Sequence, residues 1–339
     1  MSTMPMPNFN HLYRMTVDRG TFEHAQFNEP RISHGYCTDD MARVLIVASR
    51  QPFPTPATCY LEELSLRFLI DAQGTNGGYR NRMDRRGHWK DQPTFEDCWG
   101  RSIQGLGTAA AHSTQAWLRE AASAQLDRAL SQRSGWSRAT AFAVLGAAEL
   151  LSIAPHHRAA LGLIIDAADA MPTFARSADW PWPEARLRYA NATLAEAMIA
   201  AGTALERPRL CHHGLELLAW LFDHETLNGH LSVTPVGGAG PGDTKPAFDQ
   251  QPIEVAALAD ACARASTVDD NRLWDDGVSS AAAWFLGAND GGIVMWDEET
   301  GGGYDGLHRA GANLNQGTES TLALLSTLQH ANRLVAASL

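Results

Sequence analysis

The chain has 339 residues, 45% of them hydrophobic and 19% charged, which is the profile of a folded protein with a large core and excludes a disordered chain. A formal net charge of -11 without any Lys/Arg run excludes a phosphate-backbone binder, so no nucleic acid is expected, and no apolar run is long enough to span a membrane. The opening MSTMPMPNFNHLYR lacks a basic start and an apolar signal core, and Cys37, Cys59, Cys98, Cys211 and Cys262 are odd in number and scattered, so a cytoplasmic protein with reduced thiols is expected.

Residues 1–30 read as an N-terminal extension or as a weakly patterned outer helix over FNHLYRMTVDRGTF. A segment of small and apolar residues then starts abruptly at CTDDMARVLIVASR (37–50), with His34 and Tyr36 before it and Asp39, Asp40 and Arg43 in its first turns. CYLEELSLRFLIDAQ (59–73) has the wider polar stripe of a surface helix, and NGGYRNRMD (76–84) is a Gly turn leading into a β-prone run. FEDCWGRSIQGLGTAAAHS (95–113) is the second small-residue segment; Thr94 stands in an N-cap position, and Glu96, Asp97, Trp99 and Arg101 crowd its start. In QAWLREAASAQLDRALSQ (115–132), Trp117, Ala121, Leu126 and Leu130 fall near helical spacing, with Arg119, Glu120, Asp127 and Arg128 on the other side.

The third small-residue segment, SRATAFAVLGAAELLSIA (137–154), brings only Trp136 and Arg138, and HHRAALGLIIDAADAM (156–171) is half polar. RYANATLAEAMIAAGTAL (188–205) is the fourth, with Trp180, Trp182 and Glu184 ahead of it and Arg188, Tyr189 and Asn191 at its start. RLCHHGLELLAWLFDHE (209–225) reads as a surface helix, NGHLSVTP (228–235) as a turn and strand, and GGAGPGD (237–243) as an exposed loop or a lid. QQPIEVAALADACARAS (250–266) is the fifth: Pro252 marks its first helical position, leaving Asp249, Gln250 and Gln251 ahead of it and Glu254 in its first turn. NRLWDDGVSSAAAWFLGA (271–288), a Gly-rich turn and strand over 289–307, and the sixth small-residue segment NQGTESTLALLSTLQHANRL (315–334) with Asn313, Asn315, Gln316 and Glu319 complete the chain.

Helices that are apolar all round must be buried on all sides, and their alternation with half-polar helices describes two concentric layers. The expected fold is an all-α (α/α)6 toroid of six inner and six outer helices, a single domain over 1–339, with short β-hairpin loops at one end. A solenoid would expose one helix layer on its concave side, for which the inner segments are too apolar.

In a toroid the inner helix starts converge on one mouth. A lone first-turn carboxylate is accounted for by the helix macrodipole, worth about 0.3–1 kcal/mol. Carboxylates, aromatics, arginines and amides together at five of six starts are what a sugar site needs: rings stack on sugars, polar groups bind hydroxyls, and a carboxyl pair can protonate a glycosidic oxygen while activating water. Asp97 and Glu254 take the leading acid/base positions, with Asp40 and Glu319 next; helices two and five, like one and four, oppose each other by count, a separation suited to the inverting gap of about 6.5–9.5 Å. His34, Tyr36, Asp39, Arg43, Trp99, Arg101, Trp180, Trp182, Glu184, Tyr189, Asp249, Gln250, Gln251, Asn315 and Gln316 are the expected substrate contacts.

GYCTDDMARVL, EDCWGRSIQGLG, DQQPIEVAALADA and NQGTESTLALL together resemble a group of bacterial proteins with a glycosidase-like (α/α)6 domain, often beside or fused to glycosyltransferases; the similarity spans roughly residues 30–330. The fifth segment also resembles the PxE helix of other toroidal glycosidases. The resemblance implies a carbohydrate-active toroid, with a glycosyltransferase as a possible partner; with the carboxyl pair, the expected activity is that of a hydrolase acting on an oligosaccharide or glycan without a cofactor. The alternatives are a sugar epimerase using His34 or His308 as proton carrier, and a non-catalytic glycan-binding protein. Cys98 with Cys211, His212 and His213 faintly resembles the zinc set of lanthionine cyclases, but the two parts lie over a hundred residues apart, and Cys211 opens an outer helix that should start at the opposite rim. No metal is expected.

Overall fold

The computed structural model describes residues 4–171 and 179–337. Among the described residues are α1 (Asn10–Arg14), α2 (Thr38–Ser49), α3 (Pro56–Ala72), α4 (Asp97–His112), α5 (Ala116–Leu130) and α6 (Ser137–Ile153). They are followed by α7 (Arg158–Ala170), α8 (Ala192–Ala204), α9 (Pro208–His224), α10 (Pro252–Ala265), α11 (Leu273–Phe285) and α12 (Thr318–Ala337). The strands form two-stranded antiparallel hairpins, so the chain is all-α in class.

Burial follows the sequence pattern. In α4 every residue from Cys98 to Ala110 is buried, and in α2 only Asp39 and Arg43 escape. In α5 burial is confined to Leu118, Ala122, Leu126, Ala129 and Leu130, the i, i+4 stripe of a surface helix. Leu126 and Leu130 are buried as expected, but the first two positions lie one residue on: Trp117 is 50% exposed, its indole N–H donating to the Gln115 side chain, and Leu118 and Ala122 turn inward.

The described residues group into two compact units, one of residues 12–170 with 200–208, the other of residues 4–11, 171, 179–199 and 209–337. In the first, α2 packs on α4 and α4 on α6, while α3, α5 and α7 cover them in turn. Small residues allow the inner helices to touch backbone to backbone. A Cβ on Gly107 would stand 2.1 Å from the Gly146 carbonyl oxygen, and one on Gly146 would stand 2.1 Å from that of Ile103. In the second unit α10, α11 and α12 pack mutually.

The hairpins differ in detail from expectation. Arg82–Met83 does pair, with Tyr36–Cys37, just ahead of α2. Asn228 and Gly229 form a turn with φ of 52° and 84°, joining Thr226–Leu227 to His230–Leu231, as an Asn-Gly pair favours. The third hairpin is Gly306–His308 with Gly311–Asn313, later than the 289–307 run suggested. Near the N-terminus the expected outer helix shrinks to α1, because the chain then folds into hairpins at Thr16–Thr21 and Ala25–Pro30. Thr94 does not cap α4: its backbone exchanges hydrogen bonds with Tyr79 at 2.9 and 2.8 Å, which draws it into a β-bridge and leaves Glu96 at the N-cap.

Candidate active site

The first unit concentrates charge where α2 begins. Cys37 occupies the N-cap, and its Sγ accepts from the Asp40 N–H at 3.4 Å. Successive helical side chains diverge by about 100°, so Asp39 and Asp40 meet different partners. Asp40, 2% exposed, accepts from Arg43 Nη1 at 2.7 Å, an i,i+3 pair along the helix. Asp39 Oδ2 accepts from the Asn81 side-chain amide at 3.0 Å, and its buried Oδ1 meets no donor among the described residues.

Burial raises the Asp39 carboxyl above its usual 3.8; the Arg43 and Arg101 guanidinium groups pull it down, and the Asp97 carboxylate pushes it further up. Asp39, Arg43, Asp97 and Arg101 therefore form one electrostatic cluster contributed by α2 and α4. Arg101 is held by stacking over the Phe142 ring, 3.8 Å from its centroid. Gln104, three residues further along α4, presents a buried Oε1 that also lacks a donor among the described residues, as does Asn81 Oδ1.

Other expected contacts in this unit fall elsewhere. Tyr36 is 2% exposed and stacks on Phe22, and Trp99 is 1% exposed with its indole N–H on the Ala129 carbonyl, which places both in the core. His34 is exposed, edge-on to His24. Glu23, Cys37 and Asp40 bring three ligand atoms within 4.8 Å of one another. Arg82 and Arg43 hold the two carboxylates, and burial with the surrounding acids keeps the thiol protonated, so a metal would have to displace both guanidinium groups.

In the second unit the stretch Asp249–Glu254 anchors a polar network. Glu254, 4% exposed, accepts from the Ala190 and Asn191 backbone N–H groups and, at 3.0 Å, from the Asn191 side-chain amide. Its carboxylate thereby secures the left-handed turn at Ala190 (φ 45°) that leads into α8. Gln250 is fully buried: its backbone pairs with Leu307, its side-chain oxygen accepts from the Trp284 indole at 3.3 Å, and its amide donates to Asp290 at 2.6 Å. Asp290 in turn binds His230 at 2.9 Å. Asp249 meets His308 at 2.5 Å with both side chains about half exposed.

Gln316, 3% exposed, is engaged with Thr300 and Asp297, and Glu319 lies half-buried in the first turn of α12. The Asn315 carbonyl accepts from the Asp305 N–H, and Gln251 is the N-cap of α10. Trp182 and Trp180 are buried, the latter donating to the Glu184 carbonyl, whereas Tyr189 is 41% exposed. Of the leading carboxylates, Asp40 and Asp97 belong to the first unit, Glu254 and Glu319 to the second. Sequence reasoning missed Asn81, Gln104, His230 and Asp290; only the Gly-flanked settings of His230 and Asp290 marked them at all. Of the residues weighed as zinc ligands, Cys98 donates to the Tyr79 carbonyl in the first unit, and His212 and His213 meet Glu216 in the second.

No protein-family model matches the chain, and no curated protein matches it in sequence. Solved structures do match. The cellobiose 2-epimerase from Bacillus thermoamylovorans is 10% identical over 95% of both chains with a TM-score of 0.72. The cellobiose 2-epimerase from Spirochaeta thermophila is 11% identical with a TM-score of 0.68, covering 96% of this chain and 94% of that one. A GH76 α-mannanase from Bacteroides thetaiotaomicron is 12% identical with a TM-score of 0.59, covering 89% and 88%. The fold is that of the (α/α)6 enzymes. At such identities the likeness extends to the fold alone.

Proposed function

We propose that this chain is a carbohydrate-active enzyme that cleaves glycosidic bonds, with Asp39 as general acid. The surroundings of Asp39 carry the reading: a carboxyl whose pKa is raised by burial stands beside a second carboxylate, Asp97, and two guanidinium groups. A carboxyl kept protonated by burial, beside a second carboxyl group, is how one site supplies both an acid and a base. Asp39 donates its proton to the leaving oxygen, water adds at the anomeric carbon, and Asp97 takes the water's proton, giving a hemiacetal and an alcohol. The buried acceptors Asn81 Oδ1 and Gln104 Oε1 call for a ligand rich in O–H donors, which a sugar is. That fold neighbours are named cellobiose 2-epimerase and α-mannanase supports a sugar as the ligand.

Glu254 acts in this reading as a clamp on the entry to α8 rather than as acid or base. Incubation with α- and β-linked gluco- and manno-oligosaccharides, followed by chromatography and NMR of the products, tests the proposal. Shortened sugars are expected, and Asp39→Asn should lower turnover by about 10²–10⁴-fold while leaving the fold intact. Unshortened products, or an active Asp39→Asn enzyme, would remove the assignment.

The His308–Asp249 pair favours a second reading, epimerisation. A half-exposed imidazole held by a carboxylate has the chemistry to take a proton from a sugar carbon and return it, and two of the fold neighbours are cellobiose 2-epimerases. This reading expects deuterium from solvent at C2 of an intact sugar, lost with His308→Gln.

A further inference from the structure

The chain after the Thr226–Leu231 hairpin encloses a cleft in the second unit, lined among others by His224, Ser232, Thr234 and Lys245. Its walls are pinned. Leu187 and Ala239 exchange backbone hydrogen bonds at 2.7 and 3.2 Å, Arg186 binds Asp243 at 2.8 Å, and the Val236 N–H donates to the Asp249 carbonyl at 2.9 Å. Trp220 stacks on His224, ring centroids 4.9 Å apart, and on Trp182 at 5.9 Å, while Trp180 meets Trp220 and His224 edge-on. The segment read from sequence as a loop or lid is thus a preformed wall.

Polar atoms in it are unspent. Ser232 is 1% exposed, yet its hydroxyl meets no partner among the described residues, and neither does His224 Nε2. A buried hydroxyl without a partner is unfavourable, a deficit that a ligand would relieve. The Lys245 ammonium donates to the His224 carbonyl and has further N–H groups to give.

Charge selects the class of ligand. Lys245 has Glu225, Asp290 and Asp223 around it, and Glu225, 1% exposed, is itself held by the Thr234 N–H and hydroxyl. An oxyanion would meet these carboxylates and a second cation would meet Lys245, whereas a neutral hydroxyl group meets neither penalty. Burial and Lys245 lower the His224 pKa to about 4, so near neutral pH its ring carries one nitrogen that accepts. Val233, Pro235 and Ala239 add an apolar wall for the C–H face of a ring, and the cleft is too small for a long chain.

We propose that this cleft binds a single neutral sugar residue through its hydroxyl groups, held by Lys245, Ser232 and His224. The site makes no use of Asp39 and does not depend on the hydrolase reading. Titration with methyl α-mannoside, methyl β-glucoside and N-acetylglucosamine, followed by tryptophan fluorescence and by hydrogen exchange over residues 224–247, tests it. At least one of these sugars should give a saturable response, unchanged in Asp39→Asn and weakened about tenfold in Lys245→Met. Removing the ammonium leaves Glu225 without its nearby cation, so Ser232→Ala serves as a second variant, with a weakening of about fivefold. The proposal is overturned if none of the sugars saturates, if both variants fold and bind as wild type, if Asp39→Asn abolishes the response, or if inorganic phosphate binds more tightly than the sugars.

Discussion

Glu254 offers the sharpest separation between a structural and a catalytic carboxylate. Replacing it with Gln keeps its volume and one acceptor oxygen but exchanges the other oxygen for an NH₂ group. In the native chain the two oxygens take the Ala190 N–H, the Asn191 N–H at 3.2 Å and the Asn191 amide at 3.0 Å, at a residue only 4% exposed. The new NH₂ therefore faces N–H donors. A hydrogen bond to a charged acceptor contributes about 1.5–3 kcal/mol, and the amide orientation that loses least loses one, so Glu254→Gln should destabilise by at least about 1.5–3 kcal/mol. Local opening at the start of α8 should rise accordingly, with Ala190 and Asn191 amides exchanging about tens to hundreds of times faster. Urea unfolding followed by circular dichroism, with hydrogen exchange of the peptide holding residues 188–196, measures both. A variant with unchanged midpoint and unchanged exchange that nevertheless loses turnover would refute the clamp and return Glu254 to the chemistry.

Three further outcomes are expected. As a general acid with a raised pKa, Asp39 is active while protonated; kcat/KM should fall as pH rises through that raised value, and Asp39→Asn should remove this limb from the pH profile. Asp39 has the matching effect on stability, present below 3.8 and lost as pH climbs through its folded value, readable as a midpoint shift between acid and neutral urea titrations. Gly107→Ala would drive a Cβ to 2.1 Å from the Gly146 carbonyl oxygen between two packed backbones, and should destabilise by about 1–3 kcal/mol in thermal or urea unfolding. His224, whose pKa falls from 6.5 to about 4, favours folding in its neutral form, so its contribution is full above 6.5 and is lost as pH drops toward 4. His224→Phe keeps the stacking on Trp220 and should shrink the stability difference between pH 7 and pH 4 by about 1–2 kcal/mol, after allowing for solvent screening of a partly exposed ring.

The inner helices were legible because their signal is local and redundant. Thirteen consecutive buried residues in α4 require small or apolar side chains at every position, and Gly100, Gly105 and Gly107 advertise the close approach that α2 and α6 exploit. Pro252 marked the start of α10 for the same reason, since its missing N–H is useful only there. The candidate site was legible only in part, because its decisive contacts are non-local. Spacing alone does not separate Asp40 from Asp39, for Arg43 stands three residues on from one and four from the other; the structure hydrogen-bonds it to Asp40 at 2.7 Å. What raises Asp39 is burial together with Asp97, and its hydrogen bond comes from Asn81, 42 residues away.

Glu254 illustrates the opposite failure. Two residues after a helix-starting proline it looks like a carboxylate aimed at a ligand, but its partners lie 63 and 64 residues back, at a backbone turn that no residue type in RYANAT announces. A first-turn carboxylate can thus serve a helix other than its own, because buried N–H groups at the start of any neighbouring helix compete for it as strongly as a substrate would. Asp39 and Glu254 differ in how fully that competition has been met: Glu254 has donors on both oxygens, whereas one oxygen of Asp39 is buried with none among the described residues. Protonation removes the charge that burial penalises in the free protein, and the proton is delivered when a substrate oxygen comes to lie beside it, which is why the less satisfied carboxyl is the one assigned to the acid.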